Sequence, residues 1–181
     1  MDWNILETRV YMAAKKAFTE IRKANENEHF YVFVLYVDSS VMSIAPAANS
    51  LQRLKQKIDF EDEENRTEEN IAYYKWTSSE WGFEGYAGEE FEVINRDLRE
   101  DSERTNFSSF KENALITMAK VLVSLVKEGF FKKFRQKSED EVVTVFVTVT
   151  DSDESEAVEN LTAKLINDEE VYNYFISRFA F

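Results

Sequence analysis

Two carboxylates one residue apart, Asp151 and Asp153, close the valine-rich stretch from Val142 to Thr150. A pair of this kind at the end of a strand can hold a divalent cation and present it to a phosphate. The surroundings favour a simpler role. Asp153 fits a helix N-cap, with Glu156 as the capping-box partner three positions on. No basic residue lies between Ser138 and Lys164, so a phosphate would find no cation nearby in the chain. No cofactor is expected, and Asp151 and Asp153 stand as metal ligands only in the alternative reading.

Other carboxylates are plentiful. If the acidic segments 59–70, 80–103 and 139–159 converge, then Glu80, Glu84, Asp151, Asp153 and Glu154 form one negative patch beside Trp81. Such a patch suits a basic protein. Trp76, Trp81, Phe83 and Tyr86 can supply an aromatic anchor for a partner. The tryptophans also fit a hydrophobic staple around a helical turn capped by Thr77 and Glu80, with Gly82 and Gly85 keeping the turn short. His29 precedes an apolar run, without the orienting partner and nucleophile that a general base requires. Ser39, Ser40, Ser78 and Ser79 lack the Gly-x-Ser-x-Gly setting of an esterase nucleophile. With no cysteine and one histidine, thiolate chemistry, disulfides and multi-histidine metal clusters are excluded.

The elements that must position these residues are read from periodicity. Leu6, Val10, Ala13, Ala17 and Ile21 mark an amphipathic helix over 3–24. Phe30 to Val37 is apolar on both faces and reads as a central strand. Val41 to Ala45 is its hairpin partner, ended by Pro46. Asn49 is expected to cap a helix with a Leu51, Leu54, Ile58 stripe. Ile71 to Trp76 reads as a third strand and 89–100 as a helix. Phe107 to Glu128 is the longest helix, ended by Gly129. Phe130 to Lys137 is basic and aromatic, and reads as a helix end that partners acidic loops. Val142 to Thr150 is the fourth strand. A helix follows with Ala157, Val158, Leu161 and Leu165 inward, then a last helix capped by Asn167 and held down by Val171, Tyr174, Phe175 and Phe179. The expected fold is one α+β domain: a central, mostly antiparallel sheet of about four strands, with helices packed on both faces.

A length of 181 residues suits one domain with a substantial core. A net charge of −13 repels nucleic acid and anionic membranes and attracts basic proteins. The start of the chain lacks a signal peptide and no run is long enough to span a bilayer, so a cytoplasmic protein, monomer or homodimer, is expected.

Two stretches carry a family resemblance: Tyr73-Tyr74-Lys75-Trp76-Thr77-Ser78-Ser79-Glu80-Trp81 and Phe146-Val147-Thr148-Val149-Thr150-Asp151-Ser152-Asp153. With the first helix and the hairpin they resemble a bacterial domain-of-unknown-function family of small cytoplasmic proteins. Its members carry an aromatic-Lys/Arg-Trp-Ser/Thr-x-x-Glu-Trp segment and a late strand ending in Asp-Ser-Asp. That resemblance implies a compact mixed α/β domain and transfers no catalytic residue. In type, the chain is also similar to the immunity proteins of polymorphic toxin systems, many of them small, acidic, cysteine-poor domains that block a basic nuclease. The function expected is therefore that of a binding protein, an immunity-type inhibitor of a basic protein toxin acting through an acidic surface, with a metal-dependent enzyme using Asp151 and Asp153 or a homo-oligomeric structural domain as alternatives.

Overall fold

The computed structural model describes residues 1–134 and 142–180. Two strands rich in apolar side chains form its centre. Strand β1 (Phe30–Asp38) runs parallel to β4 (Thr144–Thr150), with Val34 opposite Phe146. On its other side β1 pairs antiparallel with β2 (Ile44–Ser50), and β2 pairs with the two-residue β3 (Phe83–Glu84). The sheet order is β3-β2-β1-β4, mixed and mostly antiparallel.

Both faces of the sheet are covered, as strands without a polar face require. Phe33, Leu35, Val37, Val145, Val147 and Val149 share one core with α1 (Trp3–Ala24), α4 (Glu92–Glu100) and α5 (Phe107–Lys127). Val32, Val34 and Phe146 face a second core with Leu54 of α2 (Leu51–Phe60), Trp76 of α3 (Glu68–Trp76), Trp81 and Phe175 of α7 (Glu169–Ile176). Helix α6 (Ser155–Ile166) lies along the outer edge of β4 and supplies Ile166 to the first core and Ala163 to the second. The fold is α+β. No helix among the described residues is long and apolar enough to cross a membrane.

Several local expectations are corrected. Residues 71–76 are helical: Thr67 caps α3 by accepting from the Asn70 N–H, Glu68 and Glu69 occupy the first turn, and Ala72 and Trp76, four apart, are the buried positions. The sheet position next to β2 falls instead to Phe83–Glu84. The second strand begins at Ile44, after a turn in which the Asp38 carboxylate accepts from the N–H groups of Ser40, Met42 and Ser43. Pro46 lies inside that strand, opposite Leu35, and its carbonyl accepts from Gly85. Proline fits because β3 pairs only with Ala47 and Ala48, so no partner on that side asks Pro46 for an N–H.

Four caps move by one residue or change role. Ser50, not Asn49, caps α2, and Asn49 is a buried strand residue donating to the Tyr31 hydroxyl. Glu154 occupies the N-cap position of α6 in place of Asp153. Asp168, not Asn167, caps α7 by accepting from Val171. Thr77 precedes the 3-10 turn Ser78–Glu80 without a side-chain cap bond. The inward face of α6 is Val158, Thr162, Ala163 and Ile166, so Leu161 and Leu165 are each 62% exposed and line a groove against α5 with Ile116. Leu51, Tyr174 and Phe179 are also exposed. Of the basic aromatic stretch, Phe130 and Phe131 are buried in the first core, and Arg135 to Lys137 lie outside the described residues.

Candidate functional site

The acidic segment after α2 has a defined shape. Helix α2 stops at Phe60, a 3-10 turn spans Glu63–Asn65, and α3 starts at Glu68. Arg66 folds back on the segment, donating through Nε to the Glu61 carbonyl at 3.0 Å and through Nη2 to the Asp59 carbonyl at 3.0 Å. Asn70 Nδ2 donates to the Asn65 carbonyl at 2.8 Å. The backbone is thus braced while the residues from Asp62 to Glu69 all remain exposed. Phe60, at the edge of this segment, is 81% exposed.

Glu80 joins this acidic surface through Lys57. The Lys57 ammonium lies 3.1 Å from Glu80 and 3.5 Å from Glu61, over the Tyr74 ring. Its pKa is raised, first by the bond to Glu80. Glu84 is on β3 beside Glu80. Partial burial, then the negative charge of Glu80, raise its carboxyl above the ordinary value. Glu80, Glu84 and the 59–69 segment therefore belong to one negative region.

Trp81 and Trp76 are buried, each 5% exposed. Trp81 donates through Nε1 to the Lys75 carbonyl at 3.1 Å and stacks edge-on against Phe146 at 6.3 Å. Phe83 is buried too, while Tyr86 is partly exposed.

Asp151, Asp153 and Glu154 sit elsewhere. They follow β4, the opposite edge strand from β3, so three strand spacings, roughly 14 Å, separate the two edges. Asp151 takes φ +54°, the left-handed turn conformation that Asp tolerates. Ser152 Oγ accepts from the Glu154 N–H, and Glu154 pairs with Lys111 at 2.6 Å. Asp151 and Asp153 are both exposed. Among the described residues, the carboxylates near enough to share an ion in a group of three are Glu20, Glu89 and Glu90. Lys16 lies 2.5 Å from Glu90 and 4.0 Å from Glu20 and already neutralises part of that cluster.

The model of the family described as "Domain of unknown function (DUF4303)" matches residues 10–168. The chain belongs to that family. The match covers all four strands, the acidic segment, both buried tryptophans and the turn after β4. No curated protein and no solved structure matches the chain.

Two features escaped sequence reasoning. Phe60 was hidden because it lies within the acidic run 59–70, where charge masks a single aromatic residue. The second is Lys75, whose ammonium stands among the rings of Tyr31, Trp76 and Tyr174 at 5.7, 5.4 and 5.2 Å. The run Tyr73-Tyr74-Lys75-Trp76 sets the cation beside one of these rings, but Tyr31 and Tyr174 lie far away in the sequence.

Proposed function

We propose that the protein is a binding protein of the immunity type, whose acidic surface occupies the active site of a basic protein. The 59–69 segment with Glu80 and Glu84 supplies the negative region, and Phe60 supplies the apolar anchor. The observation that carries this reading is the braced acidic segment, exposed from Asp62 to Glu69 and carrying an aromatic side chain at its edge. A charge field of one sign steers a basic partner and speeds its approach. An exposed phenylalanine at its margin adds desolvated contact area of the sort that dominates binding energy. Asp151, Asp153 and Glu154 fall outside this surface and serve as the internal control.

The test mixes the protein with basic toxins encoded by neighbouring genes and measures association across added salt. Affinity is expected to fall at least about tenfold between low and physiological salt. Glu63→Lys with Glu64→Lys is expected to abolish it and Phe60→Ala to weaken it, while Asp153→Lys leaves it nearly unchanged. Association that is absent, or indifferent to salt, overturns the proposal.

A further inference from the structure

A cleft of about 290 Å³ opens at the amino-terminal ends of β1 and β4, near the low end of the roughly 300–1,000 Å³ typical of small-molecule sites. It lies at the other end of the sheet from Asp151 and is lined by His29, Tyr31, Lys75, Trp76, Thr144 and Tyr174 among others. A bulge builds one wall. The β1–β2 register shifts between Phe30 and Val32, so Tyr31 and Val32 both face the second core although they are adjacent in the chain. The Tyr31 hydroxyl is spent, donating to the Lys75 carbonyl at 2.8 Å and accepting from Asn49 Nδ2 at 3.0 Å.

Two polar groups in the cleft are not spent. Thr144 is 0% exposed, and its Oγ1 has no hydrogen-bond partner. Thr144 alternates with Val143 and Val145, so its side chain points to the cleft side of β4. Lys75 Nζ donates to the Tyr174 hydroxyl at 2.6 Å and makes no ion pair with a described carboxylate. An ammonium has three donors, so two remain. The rings of Tyr31, Trp76 and Tyr174 stand close around the ammonium and hold its position at the cleft.

We infer that this cleft binds a small monocarboxylate with a flat apolar body, its carboxylate held by Lys75 and Thr144 and its body lying against Trp76 and Tyr31. A dianion such as a phosphate monoester fits poorly. The cleft offers a single lysine, Glu170 stands at its rim, and Lys75 comes from the last turn of α3, where the helix dipole is negative. This inference does not depend on the acidic surface. Tyr74 and Lys57 face that surface on one side of α3, while Lys75 and Trp76 turn to the cleft on the other.

The test titrates the protein with benzoate, with benzyl alcohol as its neutral counterpart and phenyl phosphate as the dianion, following tryptophan fluorescence. Benzoate is expected to bind saturably and at least about tenfold more tightly than either, the discrimination typical of one charged hydrogen-bonded contact. Lys75→Met is expected to remove that preference while keeping the weak binding of benzyl alcohol, which shows that the cleft is still formed. Thr144→Val is expected to weaken benzoate severalfold and leave benzyl alcohol unchanged. The inference is overturned if benzoate does not saturate, if it binds no better than benzyl alcohol, or if Lys75→Met binds it as wild type does.

Discussion

Arg178 and Glu159 show how far a residue's neighbours can push its chemistry. Arg178 Nη2 lies 3.0 Å from Glu159, its Nη1 donates to Asn160 at 2.6 Å, and its guanidinium covers the Phe175 ring at 4.0 Å. Thr148 Oγ1 donates to the other Glu159 oxygen at 2.6 Å. Burial still dominates for both. It raises the Glu159 carboxyl above its ordinary value and lowers the Arg178 guanidinium, against the pull of each partner. A carboxyl raised on folding contributes stability that is complete below its unfolded pKa and is lost as pH rises through the folded one. Glu159→Gln mimics the neutral form, so it is expected to be at least as stable as wild type at pH 7, with the difference vanishing as the pH is lowered to 4. Arg178→Met strands a buried carboxylate and is expected to cost about 3–5 kcal/mol at pH 7 and less at pH 4.5. Urea denaturation of both variants across that range checks the asymmetry. Equal losses at pH 7 would falsify it.

At the scale of elements, the outer edge of β4 matters most. An edge strand exposes backbone groups that invite pairing with another chain. Helix α6 and the residue after it satisfy them with side chains. Thr162 Oγ1 accepts from Val147 N–H at 3.0 Å, while its own proton goes to the Val158 carbonyl within α6 at 2.8 Å. Asn167 accepts from Val145 N–H at 2.9 Å and returns its amide to the same residue's carbonyl at 2.6 Å. Ser155 Oγ donates to the Val149 carbonyl. Thr162→Val keeps the volume but leaves a buried N–H without an acceptor, which is expected to cost about 1–3 kcal/mol. Chemical denaturation measures the loss, and hydrogen exchange is expected to localise it to Val147. None of this was legible in the sequence. A threonine within a helix reads as filler, and Asn167 reads as a cap for the helix that follows, because the partner strand is known only once the chain has folded.

For the whole molecule, charge matters in a way that local packing does not settle. A net charge of −13 on this chain is self-repelling. The surface ion pairs, such as Lys55 with Asp59 and Lys16 with Glu20, are largely exposed and return little. Raising salt from about 10 mM to 150 mM shortens the screening length from about 30 Å to 8 Å. Stability is therefore expected to rise by about 1 kcal/mol, or about 2–4 °C in Tm for a chain of this size. Calorimetry at both salt concentrations tests this, and a Tm that falls with salt would count against it.

The sequence by itself determined the α+β class, the long helices α1 and α5, and the two buried strands, the later one beginning at Thr144, two residues after the Val142 expected. Each rests on a strong local pattern: a wide helical stripe or a run of apolar residues. Tertiary structure alone decided three things. It gave the sheet position next to β2 to Phe83–Glu84, a strand too short to leave a periodic signal. It divided the expected acidic patch, because strand order sets Glu80 and Glu84 on one edge and Asp151, Asp153 and Glu154 on the other. It also gathered Lys75, Thr144 and Tyr174 from three separate elements into one cleft. Periodicity records which side of an element is buried. It carries no record of which element lies alongside, and a site shared between elements exists only through that choice.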